Sequence, residues 1–182
     1  WDVSSVVNME YMFFRTYAFN QPLDTWDVSN VTNMARAFQN ARSFNQNINS
    51  WDVTSVIDIS EMFFGCQDFD QPLNNWDVSN ISKMIFMFNS ARIFNQDISN
   101  WNTSNVTDMW GMFANTDAFN QDIGGWDVSN VIKMDSMFAT AAAFNQDLSS
   151  WCVSNISSEP TNFSAESALT QTNKPVWGTC PP

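Results

Sequence analysis

Histidine is absent from this sequence, which removes the side chain that most often acts as general base, proton shuttle or metal ligand near neutral pH. Only five glycines are present and none clusters into a phosphate-binding loop, so neither nucleotide chemistry nor a Ser-His-Asp or Cys-His nucleophile is available. The carboxylates recur evenly instead of forming one singular pair, and the sequence is read as non-enzymatic. Basic residues are scarce as well. Seven Lys and Arg against nineteen Asp and Glu give a formal charge of −12, which argues against nucleic acid and anionic membrane surfaces as partners. No run approaches the length of a membrane span, and no charged segment precedes an apolar one, so neither membrane insertion nor a signal peptide is expected. The chain starts in mid-pattern at Trp1, as an excerpt of something longer would.

Cysteine is nearly absent, and its three positions differ in kind. Cys152 and Cys180 lie in an irregular C-terminal segment and are expected to pair, which implies an oxidising, extracytoplasmic setting. Cys66 stands where equivalent positions hold Ala41, Ala91 and Ala141, and reads as a small buried thiol.

What the sequence does have is a period. Trp-Asp-Val-Ser-Asn-Val begins at Trp26, Trp76 and Trp126, with edited copies at Trp1, Trp51, Trp101 and Trp151, so that tryptophan recurs every 25 residues. Repetition at this length means one small unit stacked on copies of itself. Residues 1–150 divide into six such repeats, and residues 151–182 into a degenerate seventh repeat with a disulfide-closed cap. Counting each tryptophan as column 1, the apolar columns are 1, 3, 6, 9, 12, 13, 16, 19 and 23, and these are expected to point inward. Columns 23, 1 and 3 carry the alternation of a strand. Columns 9, 12, 13 and 16 carry the i, i+3, i+4, i+7 spacing of a short helix. The expected fold is therefore an α/β repeat solenoid, each coil holding a short parallel β-strand and a short helix. In the seventh repeat, Glu159 and Asn162 replace the methionines of columns 9 and 12, and Phe163 keeps column 13.

The polar columns are assigned to turns first. Asp2, Asp27, Asp52, Asp77 and Asp127 each stand two residues before Ser or Thr, as in an Asx-turn whose carboxylate accepts backbone N–H groups. The same aspartates are the lesser alternative as Ca²⁺ ligands, from adjacent coils offering hard oxygens, although Asn102 interrupts them. No cofactor is otherwise expected. Column 20 is Asn or Asp followed by Gln in all six repeats, and a buried amide ladder that satisfies backbone groups coil after coil is expected there. The sequons at Asn30, Asn80, Asn102, Asn105, Asn155 and Asn162 are read as turn chemistry.

Specificity is sought where the copies differ outside the core. Columns 10, 11, 14, 17 and 18 share the outer face of the predicted helix, and there stand Tyr11, Phe14, Tyr17, Phe64, Ile85, Phe86, Ile93 and Trp110, with Arg36, Arg42 and Arg92 on the same face. Large apolar groups on a wet face suggest a contact patch. Side chains that fold over neighbouring coils or sit exposed one by one remain the alternative. A rival site is the face of columns 24, 25 and 2, whose Asp, Asn, Ser and Thr would suit a glycan.

The run Trp26 to Met34, the Met-Phe pair and the Phe-Asn-Gln-Asp-Ile of residues 94–98 and 119–123 resemble the BspA-like leucine-rich-repeat surface-protein family, known also through mycoplasma lipoprotein-associated repeats. The resemblance covers residues 1 to about 158. It implies right-handed leucine-rich-repeat-like coils on an extracellular bacterial protein, of a kind often attached to the cell surface, engaged in adhesion or partner binding. The expected function is a non-catalytic surface module that binds a protein or glycan. The alternative is a structural subunit that associates with copies of itself into a filament or surface layer.

Overall fold

The computed structural model describes residues 1–182, and it overturns the strand-plus-helix coil. The one helical segment is a three-residue 3-10 turn, Gln171–Asn173, in the C-terminal segment. Successive coils touch as parallel backbone only at isolated bridges along column 8, from Asn8↔Asn33 through Asp58↔Lys83 to Asp108↔Lys133. There is no sheet. Neither the α/β assignment nor the leucine-rich-repeat geometry implied by the resemblance holds.

The physical reason lies in where the backbone N–H groups go. Within a coil, short turns close at columns 3–6, 9–12, 11–14, 13–16, 16–19 and 23–1, as in Val31 N donating to Val28 O at 2.8 Å and Trp51 N to Ile48 O at 3.1 Å. The supposed helix at columns 9–16 is thus a run of overlapping four-residue turns. The N–H groups of columns 12, 14 and 16 point back three residues, while the odd-column groups donate to the next coil: Phe38 N to Met62 O at 3.0 Å, Asn40 N to Phe64 O at 2.7 Å. A helix would have spent both sets internally. Left-handed backbone at columns 11 and 15 of every coil from the first to the sixth makes the alternation possible, in Tyr11, Arg36, Glu61, Phe86 and Ser136, and in Arg15, Asn40, Ser90, Asn115 and Thr140. Such a conformation costs an L-residue roughly 1–2 kcal/mol, and each of these residues offsets it with its own inter-coil bond. Glycine takes the place twice, at Gly65 and Gly111.

The columns expected inward are buried throughout the third to sixth coils and form one core of 51 residues along the stack; in the first two coils Trp1 is exposed and Val6, Met12, Phe19 and Trp26 are half-buried. Phenylalanines of columns 13 and 19 stack within a coil at 4.0–4.3 Å between ring centroids, as Phe88 does on Phe94 at 4.0 Å, and on their copies above and below, as Phe88 does on Phe113 at 5.7 Å. Each core tryptophan from Trp51 to Trp151 donates its indole N–H to the column 23 carbonyl 28 residues earlier, Trp101 to Leu73 O at 3.1 Å for instance. That satisfies the one polar atom of a large buried ring. Cys66 is fully buried, and burial pushes its thiol up, well away from reactivity.

Two ladders of side-chain amides bind the coils together at the rim. In column 20, Asn20 Oδ1 accepts both Asn45 N and Gln46 Nε2, and the pattern repeats from Asn45, Asn95 and Asn120. The ladder is half-exposed or exposed, not buried as expected. In column 5, Asn30, Asn80, Asn105, Asn130 and Asn155 donate Nδ2 to the column 4 carbonyl of the preceding coil. Four of the six sequon asparagines are therefore ladder members.

The seventh coil is out of register by one residue. Ser136 N, Phe138 N and Thr140 N donate to Thr161 O, Phe163 O and Ala165 O, and Asn162 and Glu166 carry the left-handed backbone. Phe163 thus occupies column 12, not column 13, and its ring meets Phe138 edge-on at 87° where other pairs stack. The expected disulfide, Cys152–Cys180, is present.

Candidate functional site

The face of columns 10, 11, 14, 17 and 18 exists, although turns and not a helix build it. Left-handed residues at column 11 throw their side chains outward beside column 10, and the repeats fill those positions differently. Three groupings result. In the first coils, Tyr11 and Phe14 meet edge-on at 5.3 Å, Arg36 lies 5.3 Å over the Tyr11 ring, and Arg36 Nη1 donates to Tyr11 Oη at 2.9 Å. Glu61 holds Arg36 through two hydrogen bonds, and Gln39 joins the same carboxylate. Arg42 lies 4.9 Å over Tyr17. In the third to fifth coils, Phe64 meets Phe86 edge-on at 6.4 Å and Phe86 meets Trp110 at 4.8 Å.

Tyr11, Tyr17, Ile93 and Trp110 are exposed, as are Arg42 and Arg92; Phe14, Arg36, Phe64, Ile85 and Phe86 are half-buried. No ring or ion contact joins Ile85, Ile93 or Arg92 to any of the three groupings. The sequence reading missed Arg15, which lies 4.9 Å over Phe14, and the carboxylates Glu10 and Glu61 that neutralise Arg36. It also missed why Gly111 is glycine. A Cβ there would sit 2.1 Å from the Phe86 ring, so the glycine lets that ring lie flat on the next coil and reach Trp110.

The rival face is also concave. A groove lined by Asp24, Gln46, Asn47, Asn49, Ser50 and Asn75, with Pro22 beside them, is mostly polar, and it adjoins a second depression that shares Asn49, Ser50 and Asn75. Most of its amides are already engaged: Asn49 Nδ2 donates to Asn74 Oδ1, and Asn75 N donates to Asn49 Oδ1.

The aspartates of column 2 form Asx-turns. Asp27 Oδ1 accepts Ser29 N at 3.1 Å and Ser29 Oγ at 2.7 Å, and Asp2 and Asp52 do likewise with Ser4 and Thr54. No group of three or more metal-binding side chains is brought together anywhere in the chain, so the structure does not gather the aspartates into a calcium site. The serine hydroxyl, then the serine N–H, holds Asp2, Asp27, Asp77, Asp127 and Asp147 below the usual carboxylate range, and for Asp97 the Ser99 N–H does so first and its hydroxyl second. A carboxylate with a depressed folded-state pKa contributes stability above its unfolded value, about 3.9, and loses it as the pH falls through the folded value. Thermal melts followed by circular dichroism should therefore hold steady down to about pH 5 and fall progressively below about pH 4. A melting temperature that rises on acidification would contradict the turn assignment.

A family model described as "Mycoplasma protein of unknown function, DUF285" matches residues 1–97 and again residues 58–177. No match was found among curated proteins or solved structures.

Proposed function

The chain belongs to the DUF285 family of Mycoplasma proteins of unknown function, and from that premise we propose that it is a non-catalytic binding module of a bacterial surface protein. The finer kinship, with BspA-like surface proteins, is part of this proposal on the strength of the shared sequence motif, without the strand-and-helix coil of that group. The supporting observation is the aromatic surface of Phe64, Phe86 and Trp110, continuous across three coils. These rings stand at columns where the repeats differ, and the core does not need them. Aromatic side chains on a rigid, otherwise hydrophilic scaffold are the usual anchors of a recognition surface.

The test is the double variant Phe86→Ser/Trp110→Ser. Its circular dichroism and melting temperature should stay within a few degrees of the wild type, because neither side chain belongs to the buried core. Saturable binding of fluorescently labelled protein to a panel of whole cells should weaken by about tenfold or more, which corresponds to about 1.4 kcal/mol or more. Sedimentation of both proteins would reveal self-association through the same surface. Equal binding by variant and wild type, or no binding by the wild type to cells or to itself, would sink the reading.

A further inference from the structure

We infer that the notch beside Trp110 is a subsite for one neutral hexopyranose unit of a glycan, an inference that rests on the binding-module reading and gives its ligand a chemistry. Seven of the nine tryptophans build column 1 and Trp177 packs in the cap. Trp110 alone stands on the outer face, 45% exposed. On one side Phe86 braces its ring at 4.8 Å; on the other the ring looks into open space. That space exists because the sixth coil carries short side chains, Asp135 and Ser136, where the fifth carries an indole. The register slip of the seventh coil then places Thr161 level with column 10 as the opposite wall. Trp110, Lys133, Asp135, Ser136 and Thr161 line a cleft of about 380 Å³, within the size range of small-molecule sites.

The lining suits a sugar ring better than an apolar side chain. An indole face packs against the C–H face of a pyranose while polar groups at its edge take the hydroxyls. Asp135 Oδ1 is engaged by Thr161 N at 3.0 Å, leaving Oδ2 as an acceptor. The hydroxyls of Ser136 and Thr161 have no partner within the protein. Lys133 Nζ lies 3.6 Å from Asp108 Oδ2 with its side chain 59% exposed, so it keeps donors free. The rim thus offers both donors and acceptors, as the hydroxyls of a hexose require. The carboxylates of Asp108 and Asp135 outnumber the single ammonium, and the chain as a whole is acidic. Uronates and sulfated sugars would be repelled.

A lone ring in an open cleft binds with millimolar Kd at best, so the experiment uses two-dimensional ¹⁵N NMR of the full chain. It is titrated with the methyl glycosides of glucose, galactose and mannose, and with methyl glucuronide, each to about 50 mM, well above that affinity. At least one neutral glycoside should shift the Trp110 indole resonance together with the Lys133, Ser136 and Thr161 amides. The glucuronide should not. Trp110→Ser should abolish the shifts at the three amides, and Thr161→Val should weaken binding several-fold while the indole stays exposed. No saturable shift with any neutral glycoside, or shifts that persist in Trp110→Ser, would overturn the inference. Loss of cell binding in Phe86→Ser/Trp110→Ser together with no response to glycosides would leave the contact surface standing and remove the sugar. Failure of both would remove both.

Discussion

Phe88→Ala is expected to lower stability by about 3–5 kcal/mol, the range for deleting a buried phenylalanine. Phe88 is fully buried in the middle of the stack. Its ring lies 4.0 Å from Phe94, 5.7 Å from both Phe63 and Phe113, and 6.3 Å from Trp101. The void left by the ring cannot be closed by collapse, because the backbones on both sides are tied coil to coil by Phe63 N to Met87 O and Phe88 N to Met112 O. In an array where each unit contacts only its neighbours, such a defect also cuts the coupling between the halves. Denaturant unfolding should thus show a lower midpoint and a broader, less cooperative transition. Phe13→Ala is the internal comparison. Phe13 has stacking partners in its own coil and the next only, at Phe19, Trp26 and Phe38, and its loss should be smaller. If the two variants were equally destabilised, or Phe88→Ala fell below about 1 kcal/mol, the stacked column would not be the source of stability.

That column was legible in the sequence, whereas its backbone was not. Val31, Met34, Phe38, Ala41, Phe44 and Ile48 sit at inward columns and all are buried. Hydrophobic spacing says which side chains share an interior, and it says so whatever the backbone does. The same spacing misled on secondary structure, because overlapping four-residue turns return the chain to one side every three or four residues, as a helix does. A signal that separates the two was available. Gly65, Gly111, Asn40 and Asn115 fall at columns 11 and 15, four residues apart, and Gly and Asn are the residues that tolerate left-handed backbone. Recurrent Gly and Asn inside an apparent helix favour turns. The apolar period at columns 23, 1 and 3 misled in the same way, since Leu23 and Trp26 are the two ends of one turn.

For the candidate site the outcome is divided. The aromatic face could be read from variation among copies, since a column that differs from coil to coil outside the core is free of the packing that fixes the others. The Trp110 notch could not. It depends on Thr161 occupying the level that column counting gives to Pro160, and the slip follows from the extra residue taken up between Ile156 and Phe163. Lys133 belongs to a column 8 in which Asp58, Lys83, Asp108 and Lys133 alternate in sign along the bridges, a pairing that counting charges does not reveal.

Replacing both Cys152 and Cys180 by serine is expected to have a comparably large effect, concentrated at one end of the molecule. The disulfide joins residues 28 apart in sequence, and closing a loop of about 29 residues removes roughly 3.5 kcal/mol of unfolded-chain entropy in the loop-closure description. Residues 161–170 are held to the sixth coil by Ser136 N, Phe138 N and Thr140 N donating to Thr161 O, Phe163 O and Ala165 O and by Thr170 N donating to Asn145 Oδ1, whereas the ties of residues 173–182 are fewer. Val153 N donates to Thr179 O, Gly178 N to Ile156 O and Leu148 N to Asn173 O; Lys174 pairs with Glu159 at 2.6 Å, and Trp177 meets Phe163 edge-on at 4.9 Å. The Lys174 side chain is mostly buried in that pair and Glu159 is at the surface, so the pair and the Trp177 ring add to the closure that the covalent link provides. With nearest-neighbour coupling, the loss should appear first as opening of residues 173–182, which uncovers Phe163 and Ile156 at the end of the core. Limited proteolysis should cut the serine variant in that segment while the coils up to residue 150 survive. The main thermal transition should fall by about 7–14 °C if the cap unfolds together with the stack, and by much less if it unfolds ahead of it. A variant that resists the protease as the wild type does, with an unchanged transition, would show that packing of Trp177 alone suffices to hold the end of the stack closed.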